Sequence, residues 1–151
     1  MFTLLFLLVL AGAPPAPELS LSLLVTEGGS NPGEERFELS ADGSVVHHTW
    51  RLATRQPAEQ RWSIEAEGVE KIRKALAGCR FLELAGTLNQ AQGADAAYTV
   101  RLEAVEGGRR HAVLAYKLGS PSPPERFLKL VARIRGILTA GGRYPAAHAP
   151  S

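Results

Sequence analysis

The sequence predicts an α+β domain in two layers: a mostly antiparallel sheet of about five or six strands, with two helices packed on one face. Three observations carry this prediction. Residues 19–26, 37–52 and 97–118 alternate apolar and polar side chains with a period of two, the mark of half-buried strands. Two of these stretches hold glycine turns, Asp42-Gly43 and Glu106-Gly107-Gly108, on which they fold back as hairpins. Residues 69–76 and 127–138 instead place apolar residues at helical spacing. Strands with one apolar face and helices with one apolar stripe bury those surfaces against each other.

The chain opens differently. Residues 2–10 are almost wholly apolar, Ala11-Gly12-Ala13 supplies small residues, and prolines follow at 14, 15 and 17. Residues 1–17 therefore read as a secretory signal and its cleavage region, although no Lys or Arg precedes the apolar run. The rival reading is a buried N-terminal strand or a mis-assigned start. The run falls well short of the roughly 20 residues that a membrane span needs, and no cysteine stands behind it to carry a lipid anchor. The expectation is an exported protein, periplasmic or extracellular, soluble after signal removal. One domain over residues 18–142 and a loose tail over 143–151 complete the organisation.

Leu19, Leu21, Leu23 and Val25 alternate with Ser20, Ser22 and Thr26, giving a first strand. The glycine-rich loop at 27–34 lacks a terminal Lys, is flanked by acidic residues and leads into a strand, which argues against a phosphate-binding loop. Phe37 and Leu39 begin the first hairpin. A two-residue Asp42-Gly43 turn pairs Leu39 with Val46 and Phe37 with His48, and carries Trp50 and Leu52 onto the same face. His48 is then a partly buried neighbour of Phe37, while His47 faces solvent near Glu38. Adjacent strand positions point to opposite faces, so the two histidines cannot grip one metal.

Residues 51–60 are polar, hold Pro57 and read as a surface connection. Trp62, Ile64 and Ala66 alternate as a short strand leading into a helix of Val69, Ile72, Ala75 and Leu76, with Gly78 as a left-handed C-cap. Phe81, Leu82 and Leu84 continue as a buried segment. Cys79, the one cysteine, lies between them with only Arg80 nearby to activate it, and reads as a small buried hydrophobe. Asp95 sits in a small-residue loop, where such a side chain commonly caps its own backbone.

The second hairpin is expected to be the spine of the sheet. A two-residue turn would set Leu102 beside Val113 and throw Leu114 and Tyr116 to the other face. A three-residue loop, with Gly108 left-handed, pairs Leu102 with Ala112, Val100 with Leu114 and Tyr98 with Tyr116, and the apolar pattern selects this longer loop. The opposite face then carries Thr99, Arg101, Glu103, Val105, His111, Val113, Ala115 and Lys117. That mixture suits a partner surface and equally an ordinary wet sheet. Ser122, Pro123 and Glu125 form a capping box ahead of the closing helix, whose stripe is Phe127, Leu130, Val131, Ile134, Ile137 and Leu138.

The Asp42-Gly43-Ser44-Val45 turn, the Cys79-Arg80-Phe81-Leu82-Glu83-Leu84 segment after a helix, and Asp95-Ala96-Ala97-Tyr98-Thr99 opening a hairpin resemble a bacterial secreted family, domain of unknown function 6438. The resemblance spans roughly residues 19–138. It implies an exported bacterial domain and brings no activity with it.

Function is bounded mainly by what is missing. A net charge of +2, with Lys and Arg dispersed, gives no footprint for nucleic acid. A single cysteine excludes a disulfide framework and a multi-thiolate metal site. The histidines, His47, His48, His111 and His148, show no metal-ligand spacing, and no nucleophile elbow appears, so neither metal nor cofactor is expected. The favoured reading is a non-catalytic binding or interaction module, with Asp95, Arg101, Glu103 and His111 as candidate contacts for another envelope or extracellular protein. The alternative is a hydrolase-like or ligand-binding envelope protein, its site assembled by the fold around Asp95 and His48. A deep pocket lined by His48 or Asp95 would favour the alternative over a flat interaction face.

Overall fold

A computed structural model describes residues 15–141, without the side chains of Ala94 and Asp95. The expected tail, and all but the last residues of the expected signal segment, lie outside the described residues.

The apolar alternation becomes a six-stranded antiparallel sheet: β1 (Leu19–Glu27), β2 (Gly33–Leu39), β3 (Ser44–Arg51), β4 (Ala58–Ser63), β5 (Thr99–Glu106) and β6 (Arg109–Tyr116), in spatial order β4-β3-β2-β1-β5-β6. Helices α1 (Ala66–Gly78) and α2 (Glu125–Ala140) form the second layer. Leu19, Leu21 and Leu23 of β1, Phe37 and Leu39 of β2, Val45 of β3 and Val100, Leu102 and Ala104 of β5 meet Ile72 and Leu76 of α1 and Phe127, Leu130, Ile134 and Leu138 of α2 in one core. The two-layer expectation holds. The spine, however, is β1, hydrogen-bonded between β2 and β5, and the second hairpin ends the sheet with β6 at its edge.

Both hairpin registers differ from the sequence expectation, in opposite senses. The first loop has three residues, Ala41, Asp42 and Gly43. The Ser40 amide donates to the Ser44 carbonyl at 2.9 Å, Gly43 has φ +87°, and the Asp42 carboxylate accepts the Ser44 amide at 2.9 Å. Leu39 therefore opposes Val45 and Phe37 opposes His47. The side-chain bond from Asp42 and the left-handed Gly43 together build the longer loop. The second loop has two residues. Gly107 and Gly108 have φ of +54° and +78°, which lets a two-residue turn match the strand twist, and Leu102 opposes Val113 while Val100 opposes Ala115. Val113 and Ala115 are wholly buried. These compact side chains fit the close-packed layer beneath the helices. The larger Leu114 and Tyr116 turn to the other face.

Both helix ends also differ. Gly78 stays helical, and the left-handed residue is Arg80, at φ 55°. No capping box forms before α2: Pro124 is the N-cap residue and makes no side-chain capping bond. Pro124 disfavours helical dihedrals at Pro123, so the helix starts later than predicted.

Candidate ligand cleft on the open sheet face

The helices cover one side of the sheet, and the alternation of each strand sends its polar set to the other. One row across that open face runs Glu59, His48, Arg36, Leu24, Arg101 and Leu114. The next runs Arg61, Val46, Glu38, Ser22, Glu103 and Ala112. Ion pairs lace these rows: Arg36 to Glu34 at 3.0 Å, Arg61 to Glu59 at 2.6 Å, and Glu103 to Arg101 and Arg110 at 3.0 and 3.1 Å. Exposed pairs of this kind contribute at most about 1 kcal/mol each. Their consequence here is orientation, because they hold planar charged groups in place along the face.

At the β3–β4 end this face dips into a half-open cleft of about 400 Å³, and not a deep pocket, between Glu34, Arg36, His48, Trp50, Pro57 and Glu59. Trp50 lies beside it with 39% of its surface exposed. His48 Nδ1 stands 3.3 Å from a Glu59 carboxylate oxygen. A second hollow of about 410 Å³, reaching Thr54 and Gln56, flanks the same indole. The cleft thus offers an aromatic face with a His–carboxylate pair and an Arg–carboxylate pair around it. Neither a cysteine nor a serine is among its lining residues.

The predicted contacts do not assemble there. Arg101 and Glu103 are on the open face, two strands beyond Arg36 of the cleft, and line with it a separate hollow of about 130 Å³. Asp95 belongs to a short 3₁₀ turn, Gly93–Ala97, and its side chain is outside the described part. His111 was expected beside Arg101 and Glu103, yet the two-residue turn places it on the helix side. There its Nε2 bonds the Leu84 carbonyl at 3.0 Å and its ring meets Phe81 edge-on at 5.2 Å. The first-hairpin register likewise reverses the other histidines. His47 is buried and stacked on Phe37 at 4.2 Å, while His48 reaches the wet face. Trp50, Glu34, Arg36 and Glu59 were missed. Their signal is present only once the register is known, because Val45-Val46-His47-His48 reads alike in either phase.

On the helix side, Glu35 joins His47 Nε2 at 3.0 Å to the Arg135 guanidinium of α2 at 2.6 Å. The Trp62 indole donates to the Leu138 carbonyl at 2.8 Å. These contacts tie the end of α2 to β2, β3 and β4. Burial pushes the Cys79 thiol up, and its sulfur lies 3.7 Å from the Arg126 carbonyl, so it is a poor nucleophile. Among the described residues no group of three His, Cys, Asp or Glu side chains is placed to hold a metal. Nor is any helix among them long and apolar enough to cross a membrane. Compared with known proteins, the chain matches no family model and no curated sequence.

Proposed function

We propose that this chain is an exported bacterial binding module that takes its ligand or protein partner on the open sheet face, centred on the Trp50–His48 cleft. The observation that carries the reading is the indole of Trp50, left 39% exposed beside a cleft whose polar groups are already held in pairs. A large rigid aromatic with fixed polar neighbours is what a contact hot spot needs, since it adds area without much loss of side-chain freedom. The contact therefore moves from the predicted Asp95, Arg101, Glu103 and His111 set to the β3–β4 end. Export rests on the apolar run and small-residue zone ahead of β1, and on the resemblance to secreted bacterial domains. The test has two arms. Capture of envelope proteins by the purified domain should be lost with Trp50→Ala and kept with Leu82→Ala, which alters an exposed residue elsewhere. Equal capture by both variants would refute the site. Mass spectrometry of exported material should find a first residue between about 11 and 19; recovery only of the intact chain in the cytoplasm would refute export.

A second reading has one observation in its favour. His48 with its carboxylate partner Glu59 has the form of a general base, as a hydrolase-like envelope protein would use. Activity-based screening of the wild type against His48→Ala separates this from simple binding. Turnover that vanishes in the variant supports the enzyme, and binding without turnover supports the module.

A further inference from the structure

We infer that β4 is a self-association edge: two copies of the chain join β4 to β4, antiparallel and centred on Gln60, to make one continuous sheet. The two edges of the monomer's sheet are treated differently. At β6, Thr87 bridges Leu114, the Leu88 amide donates to the Leu114 carbonyl at 2.9 Å, and the Leu114 amide donates to Gly86 at 2.9 Å. At the other end, β4 pairs only with β3 among the described residues, and Ala58, Glu59, Arg61 and Ser63 are exposed. An open strand edge is a template for another strand.

The sequence of β4 chooses the occupant and the register. In antiparallel pairing about a two-fold axis, opposed residues must share a face, so the axis passes through a residue. An axis at Glu59 sets Glu59 against itself, and an axis at Arg61 sets Arg61 against itself. Like charges directly opposed destabilise a sheet. An axis at Gln60 instead places each Glu59 opposite the partner's Arg61, with Ala58 opposite the partner's Trp62. Directly opposed side chains start about 5 Å apart at Cβ, within reach of an ion pair. In the single chain the same two groups meet along one strand at 2.6 Å. Pairing therefore exchanges the two local contacts, one in each chain, for two cross-strand ones and leaves no charge alone. Alternating charges guard the edge in the two neighbouring registers and admit it in this one. Joined this way, the two open faces become one surface carrying both Trp50 clefts, so that a repeating ligand or a symmetric partner is held at two points.

Sedimentation equilibrium of the purified protein, from about 10 µM to about 1 mM, should show a reversible monomer–dimer equilibrium. Glu59→Arg and Arg61→Glu should each weaken it by about tenfold or more. Mixing the two variants should restore a one-to-one dimer, because the first then carries only positive charge at these two positions and the second only negative. Amide shifts on dilution should concentrate in β4, which checks the interface without any substitution. A protein that stays monomeric throughout, a dimer indifferent to either reversal, or folded variants that do not pair on mixing would each overturn the inference.

Discussion

Removing the side chain of Asn89 should be costly although it lies outside the apolar core. Asn89 is buried in the segment that covers the edge of β6, and all of its polar capacity points at backbone. Its amide donates to the Tyr116 carbonyl at 2.8 Å and the Pro121 carbonyl at 2.9 Å, and its carbonyl accepts the Tyr116 amide at 2.8 Å. Each such bond is worth about 1 kcal/mol net, and a buried partner left unsatisfied costs about 1–3 kcal/mol. Partial access of water at a sheet edge recovers part of that, so Asn89→Ala should lose about 3 kcal/mol, or about 10 °C of melting temperature for a domain of this size. Asn89→Asp keeps the acceptor for the Tyr116 amide but turns an oxygen toward two carbonyls, and should be no milder than Ala. Urea unfolding of the two variants against wild type gives both numbers. A loss below about 1 kcal/mol for Asn89→Ala would show that the clamp is dispensable and that backbone bonds alone hold the covering segment.

Two further outcomes follow from the same geometry. Val113→Ser puts a hydroxyl and a void into the core and should cost about 2–4 kcal/mol, clearly more than Leu114→Ser on the half-covered opposite face; urea midpoints in the reverse order would reinstate the three-residue loop. The Ser44 amide bonded to Asp42 holds that carboxyl below its ordinary 3.8. A folded value below the unfolded one means stability that is present above the unfolded pKa and lost as pH falls through the folded pKa. Thermal melts should therefore show wild type ahead of Asp42→Asn at neutral pH and converging with it below about pH 4; a constant gap down to about pH 2 would mean that the carboxylate bond contributes nothing.

Much of the architecture was legible because it rests on local periodicity. Leu19, Leu21 and Leu23 can only be a strand with one buried face, and Phe127, Leu130, Ile134 and Leu138 can only be a helix with one buried stripe. The number of layers follows from those faces, and the buried, unreactive character of Cys79 follows from its neighbours. Hairpin register is different in kind. Its local determinants are one residue of loop length, and Asp42-Gly43 and Gly107-Gly108 each suit more than one turn. One residue exchanges the faces of a whole strand, so this single choice decided which histidine is buried, whether His111 joins Arg101 and Glu103, and whether Trp50 sits over the core or beside an open cleft.

The local sequence determined the elements, their apolar faces and the two-layer fold. The turn residues admit either choice of face for β3 and β6, and tertiary packing selected between them. Beneath the helices lie the compact Val113 and Ala115, wholly buried, while the larger Leu114 and Tyr116 stay half-buried on the other face. His47 is drawn inward by stacking on Phe37 and by Glu35, itself anchored to Arg135 on a helix 100 residues further along the chain. These contacts join residues far apart in sequence, and no window along the chain contains both partners. The cleft is the remainder of that competition: its residues are those that the core did not take.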